Sequence, residues 1–431
     1  MTRRPRTLLA AAGLAVLAGA WVFAITRLLR TSVPSDLALP KLNPSAFFSH
    51  AELARARGYE RFVRIDFVLS QLALLVALAF YARHGARYAC ESAAGRVGTG
   101  LLLGMLGLGI VWLAQLPFGV AELWWERRHG ISHQGYLTWI VQSFLGLGGE
   151  FVAICLVITI VMGFAGLLRN RWWIPGAPAI VAVGVLIAFI TPFLIPATHP
   201  LRSAALKSDA RALERREGLP RIRIEVQDVH GFTTAPNAES VGLGPTRRVI
   251  LWDTLLGGRF SRPQVKVVLA HELGHLRHEH IWKGLGWEAI FALPIGALVA
   301  LATRRRGGLY SPLAVPLALL VFVVLQLISS PLQNAVASRM ENEADWTALR
   351  ATRDPAAATA LFERLATTTL TDPSPPGWWQ ALIGTHPTIM RRIEMAQAWR
   401  RGARGGSAGQ DELAREGREA AQADAPGGRQ P

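Results

Sequence analysis

His271 and His275 stand four residues apart, with Glu272 between them. On an α-helix that spacing projects both imidazoles from one face, where they can reach a single metal ion, and it leaves Glu272 within reach of an activated water. The chemistry this allows is hydrolysis of a peptide or similar acyl bond, with zinc as Lewis acid and Glu272 as general base. Val267-Val268-Leu269-Ala270 just ahead is apolar helix material, the setting that a packed active-site helix needs.

A catalytic zinc commonly has three protein ligands and one open position. A third histidine in the pattern H-E-x-x-H-x-x-G-x-x-H is absent, because the positions of its Gly and last His hold His278 and Ile281. The two cysteines are Cys90 in a loop and Cys155 inside an apolar run, so a cysteine zinc site is excluded. Attention passes to carboxylates further along, where Glu341 and Glu343 are best placed. Glu341 and Asp345 share a helix face, so one can bind metal while the other accepts a hydrogen bond from a ligand imidazole. Glu343 points elsewhere. Read without the first motif, Glu341 could equally belong to a solvated helix face.

The elements that must position these groups sit in an apolar chain. Of 431 residues, 51% are hydrophobic and 18% charged, and the mean hydropathy is +0.27; this is the composition of a polytopic membrane protein. The net charge of +16 comes from arginines at the ends of apolar runs, where they anchor membrane helices, and no aromatic-interleaved basic stripe points to nucleic acid. Candidate spans run from about Thr7 to Ile25, Asp66 to Tyr81, Thr99 to Val120, Leu137 to Leu168, Pro178 to Ile195, Ile290 to Thr303 and Pro312 to Leu332. The first also has the build of a cleaved export signal. Thr26 to Ile65 reads as a loop with short helices. Glu150, inside the fourth run, faces protein or a water-filled cavity.

The expected fold is mainly α, a polytopic membrane protein of about seven transmembrane helices with a zincin-like α+β catalytic domain carrying a small sheet. Residues 1–197 form an N-terminal membrane domain. Residues 198–283 begin the catalytic domain, with a charged helix from Arg202 to Glu217, strands near Arg221 to Val226 and Arg247 to Trp252, and the His271 helix. Residues 284–333 add two spans, 334–401 complete the catalytic domain, and 402–431 read as a disordered tail.

Several stretches, in one order, resemble the integral-membrane zinc metallopeptidase family of the type-one CAAX prenyl protease, as a bacterial member would, and more distantly the heat-shock membrane protease. Leu116-Pro117-Phe118 and Trp125 through Ser132 are similar to its N-terminal membrane domain. Asn237, Ala238 and Gly242, with Arg248 through Leu256, look like its edge strand. Ala270 through His275, with His280 beyond, resembles its catalytic helix. Ser338 through Asp345 resembles its third-ligand helix, and Thr385-His386-Pro387 with Arg392 its C-terminal motif. The resemblance implies His271, His275 and Glu341 as ligands of one Zn2+ per chain, Glu272 as general base and Asp345 as partner of a ligand imidazole. It also implies His386 and Arg392 near the oxyanion, Asn237, Ala238 and Gly242 in a substrate-aligning strand, and His280 as a pocket residue. His278 has no counterpart and reads as a surface residue.

The function expected is a membrane-embedded zinc endopeptidase acting on membrane-associated or unfolded peptides. A signalling protease of the sensor-transducer kind, or a non-catalytic scaffold or transporter with a vestigial metal site, are the alternatives. Partners are peptide or protein substrate and the lipid bilayer, without nucleic acid. Arginine distribution between loops places the active site on the cytoplasmic side of the cell membrane.

Overall fold

Apolar runs of membrane length become long helices that reach beyond the bilayer, and the catalytic fold is assembled on their protruding ends. The computed structural model describes residues 19–85, 87 and 94–402. Its helices are α1 (Gly19–Leu28), α2 (His50–His84), α3 (Gly95–Arg128), α4 (Tyr136–Leu168) and α5 (Trp173–Leu194). Strand β1 (Thr198–Pro200), helix α6 (Ala204–Glu217), and strands β2 (Arg223–Gln227), β3 (Ala238–Val241) and β4 (Arg248–Trp252) follow. Then come the single turn α7 (Asp253–Leu256), α8 (Arg262–Arg277), α9 (His280–Thr303) and α10 (Val315–Thr352). The described residues close with α11 (Pro355–Thr369), α12 (Gly377–Ile383) and α13 (389–402).

Among the described residues six helices, α2 to α5, α9 and α10, are long and apolar enough to cross a membrane. The expected first span lies outside the described residues except where α1 begins, and so does the expected tail beyond Gly402. The bounds of α4 fall where hydropathy put them. Others overrun: α10 has 38 residues and at about 1.5 Å per residue is roughly 57 Å long, against a hydrocarbon core of roughly 30 Å. Its second half therefore stands outside the bilayer, continuous with the span. The boundaries drawn at 283 and 333 fall inside α9 and α10.

Thr26 to Ile65 is corrected in the same way. Only its first part is irregular; from His50 it is helix α2, started by a capping box in which Ser49 and Glu52 exchange hydrogen bonds. The first turns of α2 pack Leu53 into the catalytic core rather than into lipid.

The sheet has the order β1-β2-β4-β3, with β2 and β4 parallel and the outer pairs antiparallel. Arg248 through Leu251 are buried, as befits a central strand covered on both faces. The stretch after Arg248 is thus interior, and of the two stretches expected to form the edge strand only β3 lies at an edge of the sheet, a correction to the sequence reading. Gly242 ends β3 at φ +88, and a Cβ there would meet the Thr246 carbonyl oxygen at 2.4 Å, so only glycine fits. The membrane domain touches the sheet region through the loop after α3: His133 donates to Phe232 (2.8 Å) and Thr234 to Ile131 (2.8 Å).

One apolar core joins α6, the sheet, α8, the outer half of α10, α11 and α13, with Leu213, Val249, Leu251, Leu269, Leu273 and Ile393 at its centre. A separate cluster around Tyr81, Leu103, Met162 and Trp172 holds the membrane helices together. Glu150 lines a mainly apolar cavity of about 650 Å³ between α4, α5, α9 and α10, which Glu288 and Met340 also line.

Candidate metal centre and active site

Helix α8 begins where the Ser261 backbone N–H donates to the Gln264 side chain (2.8 Å) and Pro263 occupies the first turn. It then carries Leu269, Ala270 and Leu273 into the core and turns His271, Glu272 and His275 toward α10 and β3. The two helices come close because α8 has glycine at the contact. A Cβ on Gly274 would lie 3.3 Å from the Ala344 backbone, and Ala344 is itself fully buried.

That contact brings Glu341 to the histidines. His271 Nε2 and His275 Nε2 are 3.0 Å apart, and they lie 3.2 Å and 3.5 Å from the two carboxylate oxygens of Glu341. Donors bound to one tetrahedral zinc at about 2.0–2.1 Å would lie roughly 3.3 Å from each other. The donor set fits a single zinc ion. Glu341 Oε2 is buried and, with imidazole nitrogens of His271 and His386 each 3.2 Å away, makes no well-aligned hydrogen bond among the described residues, as an oxygen reserved for a cation would be.

The ring nitrogens facing away from this centre are also engaged. His271 Nδ1 is 2.9 Å from Asp345 Oδ1, and Arg392 holds both Asp345 oxygens through Nε (2.8 Å) and Nη2 (2.6 Å). Burial works against a charge on His271, but Asp345 and Glu341 outweigh it and hold its pKa up to about 10. On the other side His275 Nδ1 lies 2.9 Å from His280 Nδ1. His280 Nε2 lies 3.1 Å from Glu343 Oε2.

Glu272 is buried, and Ser240 on β3 donates to its carboxylate at 2.7 Å, close enough also to the Glu272 carbonyl oxygen. His386 sits at the open side of the centre, 57% exposed, with Nε2 3.2 Å from Glu341 Oε2. Its carbonyl oxygen accepts from Gln380 on α12 (2.6 Å). Of the expected strand residues, Asn237 accepts from the Trp252 backbone (2.9 Å), Ala238 begins β3 and Gly242 closes it.

The sequence reading missed Ser240, although strand alternation puts it on the same face as Ala238 and Gly242. It also missed what Glu343 does. That carboxylate does point away from the metal ligands, but it is 3% exposed and gathers Lys283, His280 and the Ser32 backbone N–H. His278, expected at the surface, is half-buried, 2.9 Å from Thr347 Oγ1 and 3.4 Å from Glu343.

Three side chains that could hold a metal ion meet on two crossing helices, beside an edge strand and on the ends of membrane-length helices, the arrangement of a membrane metalloprotease. Residues 200–400 match the model of Peptidase family M48. It is 26% identical over 302 residues to the uncharacterized metalloprotease YhfN of Bacillus subtilis (strain 168), covering 67% of this chain and 71% of the relative. It is 24% identical over 306 residues to the CAAX prenyl protease 1 homolog of Oryza sativa subsp. japonica, covering 66% and 70%. The solved structure of S. mikatae Ste24p superimposes with a TM-score of 0.72 over 88% of this chain and 96% of that one, at 18% identity. The fold is shared, and the chain is a multi-pass membrane protein built on it.

Proposed function

We propose that the protein is a zinc endopeptidase acting on membrane-associated or unfolded peptides, with one Zn2+ per chain held by His271, His275 and Glu341. The observation that carries this is the convergence of those three side chains, whose ligand atoms lie within 4.8 Å of one another, with Glu272 and the edge strand beside them. A zinc ion held there supplies Lewis acidity toward a peptide carbonyl and lowers the pKa of water toward about 7. Glu272 takes a proton from the attacking water and delivers it to the leaving amine. The Ser240 hydroxyl aims the Glu272 carboxylate. His386, exposed at the open side, donates to the developing oxyanion.

Arg392, whose Nε and Nη2 are taken up by Asp345, acts chiefly by holding that carboxylate against His271. The oxyanion role assigned to it by resemblance passes mainly to His386. An extended substrate adds as a strand to the edge of β3, between Asn237 and Gly242, which favours unfolded segments over folded ones. The active site faces the cytoplasm.

The test is cleavage by the purified full chain in detergent with zinc, against a farnesylated CAAX peptide and against casein. Wild type cleaves at least one of them; Glu272→Gln keeps zinc and loses cleavage, whereas Glu341→Ala loses zinc. Cleavage by Glu272→Gln at the wild-type rate would remove Glu272 as the base, and full zinc occupancy in Glu341→Ala would remove Glu341 from the ligand set. The preferred substrate decides between maturation of lipidated peptides and removal of unfolded chains.

A further inference from the structure

His275 presents Nε2 to the metal centre, so its proton is on Nδ1. The partner of that N–H is another imidazole, His280 Nδ1 at 2.9 Å, whereas a metal-binding histidine usually donates to a carboxylate, a carbonyl or water. One proton lies between two nitrogens, which makes His280 Nδ1 the acceptor and puts the His280 proton on Nε2. From there it donates to Glu343 Oε2 at 3.1 Å.

Glu343 is in turn fixed as an anion. Lys283 Nζ donates at 2.7 Å and the Ser32 backbone N–H at 2.5 Å, and His278 Nδ1 stands 3.4 Å away. The backbone is bent to make this possible. On one continuous helix, positions five apart diverge by roughly 140°, and His280 would leave His275. Instead α8 ends at Arg277, Glu279 takes a left-handed φ of 53, and His280 folds back with its ring 4.9 Å from that of His275. A non-glycine residue adopts that φ at a cost of roughly 1–2 kcal/mol, so the surrounding structure must demand it.

We propose that His280 is a positioning residue for the metal ligand His275, its tautomer set by Glu343. The two ligand imidazoles are thereby oriented from opposite sides of α10: His271 by Asp345 directly, His275 by Glu343 through an intervening imidazole. This rests on the zinc peptidase reading. It also ties the ligand set to the segment after α1, because Ser32, and Arg30 through its carbonyl oxygen to Lys283 (3.4 Å), hold the far end of the relay.

The experiment measures zinc affinity of the purified full chain by chelator competition, together with the melting temperature of the metal-free protein. His280→Phe keeps the ring but cannot accept, whereas His280→Asn places a carbonyl oxygen close to the former Nδ1. The Phe variant is expected to bind zinc about 10- to 100-fold more weakly at an unchanged metal-free melting temperature, and the Asn variant to recover most of the loss. Wild-type affinity in the Phe variant would overturn the proposal. So would equal weakening in both variants with an equal fall in metal-free melting temperature, the mark of packing alone. If the Phe variant does not fold, His280→Asn against His280→Ala decides: tighter zinc in Asn supports the role, and equal affinity overturns it. A wild type that binds no zinc would sink the zinc peptidase reading itself, an outcome distinct from any of these.

Discussion

Arg392 and Asp345 form a buried ion pair whose geometry is bidentate, and the carboxylate is left with no solvent to fall back on. Removing one member of such a pair costs about 3–5 kcal/mol, because the other stays charged and buried. Arg392→Ala is expected to lower the melting temperature by several degrees as well as loosen His271, while Arg392→Lys restores the charge without the fork. An unchanged melting temperature in the Ala variant would mean that Asp345 is sustained by something else. His271 makes a second expectation at this scale. In metal-free protein its pKa is held up to about 10, above an unfolded value of about 6.5. A raised folded pKa means that the stabilisation is complete below about pH 6.5 and is lost as pH rises toward 10. A zinc ion held by His271 would take the place of that proton. Thermal melting across this range should slope downward with chelator present and lose that slope with zinc; parallel profiles would contradict it.

The crossing of α8 and α10 decides whether the ligands meet at all. Gly274 is the contact point, and the neighbour that a side chain would press on is helix backbone at 3.3 Å, which yields less readily than a flexible side chain. Gly274→Ala is expected to shift α10 by a few tenths of an ångström. Zinc sites tolerate distance errors of only about 0.2 Å, so zinc affinity should fall while the helices remain folded. Chelator competition and circular dichroism on the same preparation check this, and wild-type affinity would show that α10 gives way without cost. This scale also separates what could be read in the chain from what could not. The apolar run of α4 ends where the helix ends, because bilayer length and helix length coincide there. In α10 they do not. Hydropathy marks the membrane half, and the polar half stays helical because Ala348, Leu349 and Ala351 pack into the catalytic core, a reason that lies in tertiary contacts.

As a whole molecule the protein mounts its candidate metal centre at one end of a helix bundle. Its arginines favour a cytoplasmic position for that end. A reporter fused at the C-terminus, active only in the cytoplasm, should be on; activity only outside would reverse the orientation. The bundle contributes more than an anchor. The cavity of about 650 Å³ that Glu150 lines runs along Val336, Ala337 and Met340, one turn or so from Glu341.

His271, Glu272 and His275 were legible by themselves, because helical spacing alone puts them on one face. The membrane class was legible too, since apolar composition leaves few other fates for such a chain. Glu341 was reachable as a partner of Asp345 at a spacing of four, but its meeting with the histidines depends on a helix crossing that no local pattern encodes. Ser240, His280 and Glu343 took their places only in the folded protein. A strand edge, a left-handed turn at Glu279 and a segment some three hundred residues upstream must come together first, and hydrogen bonds between positions so distant leave no periodicity in the sequence.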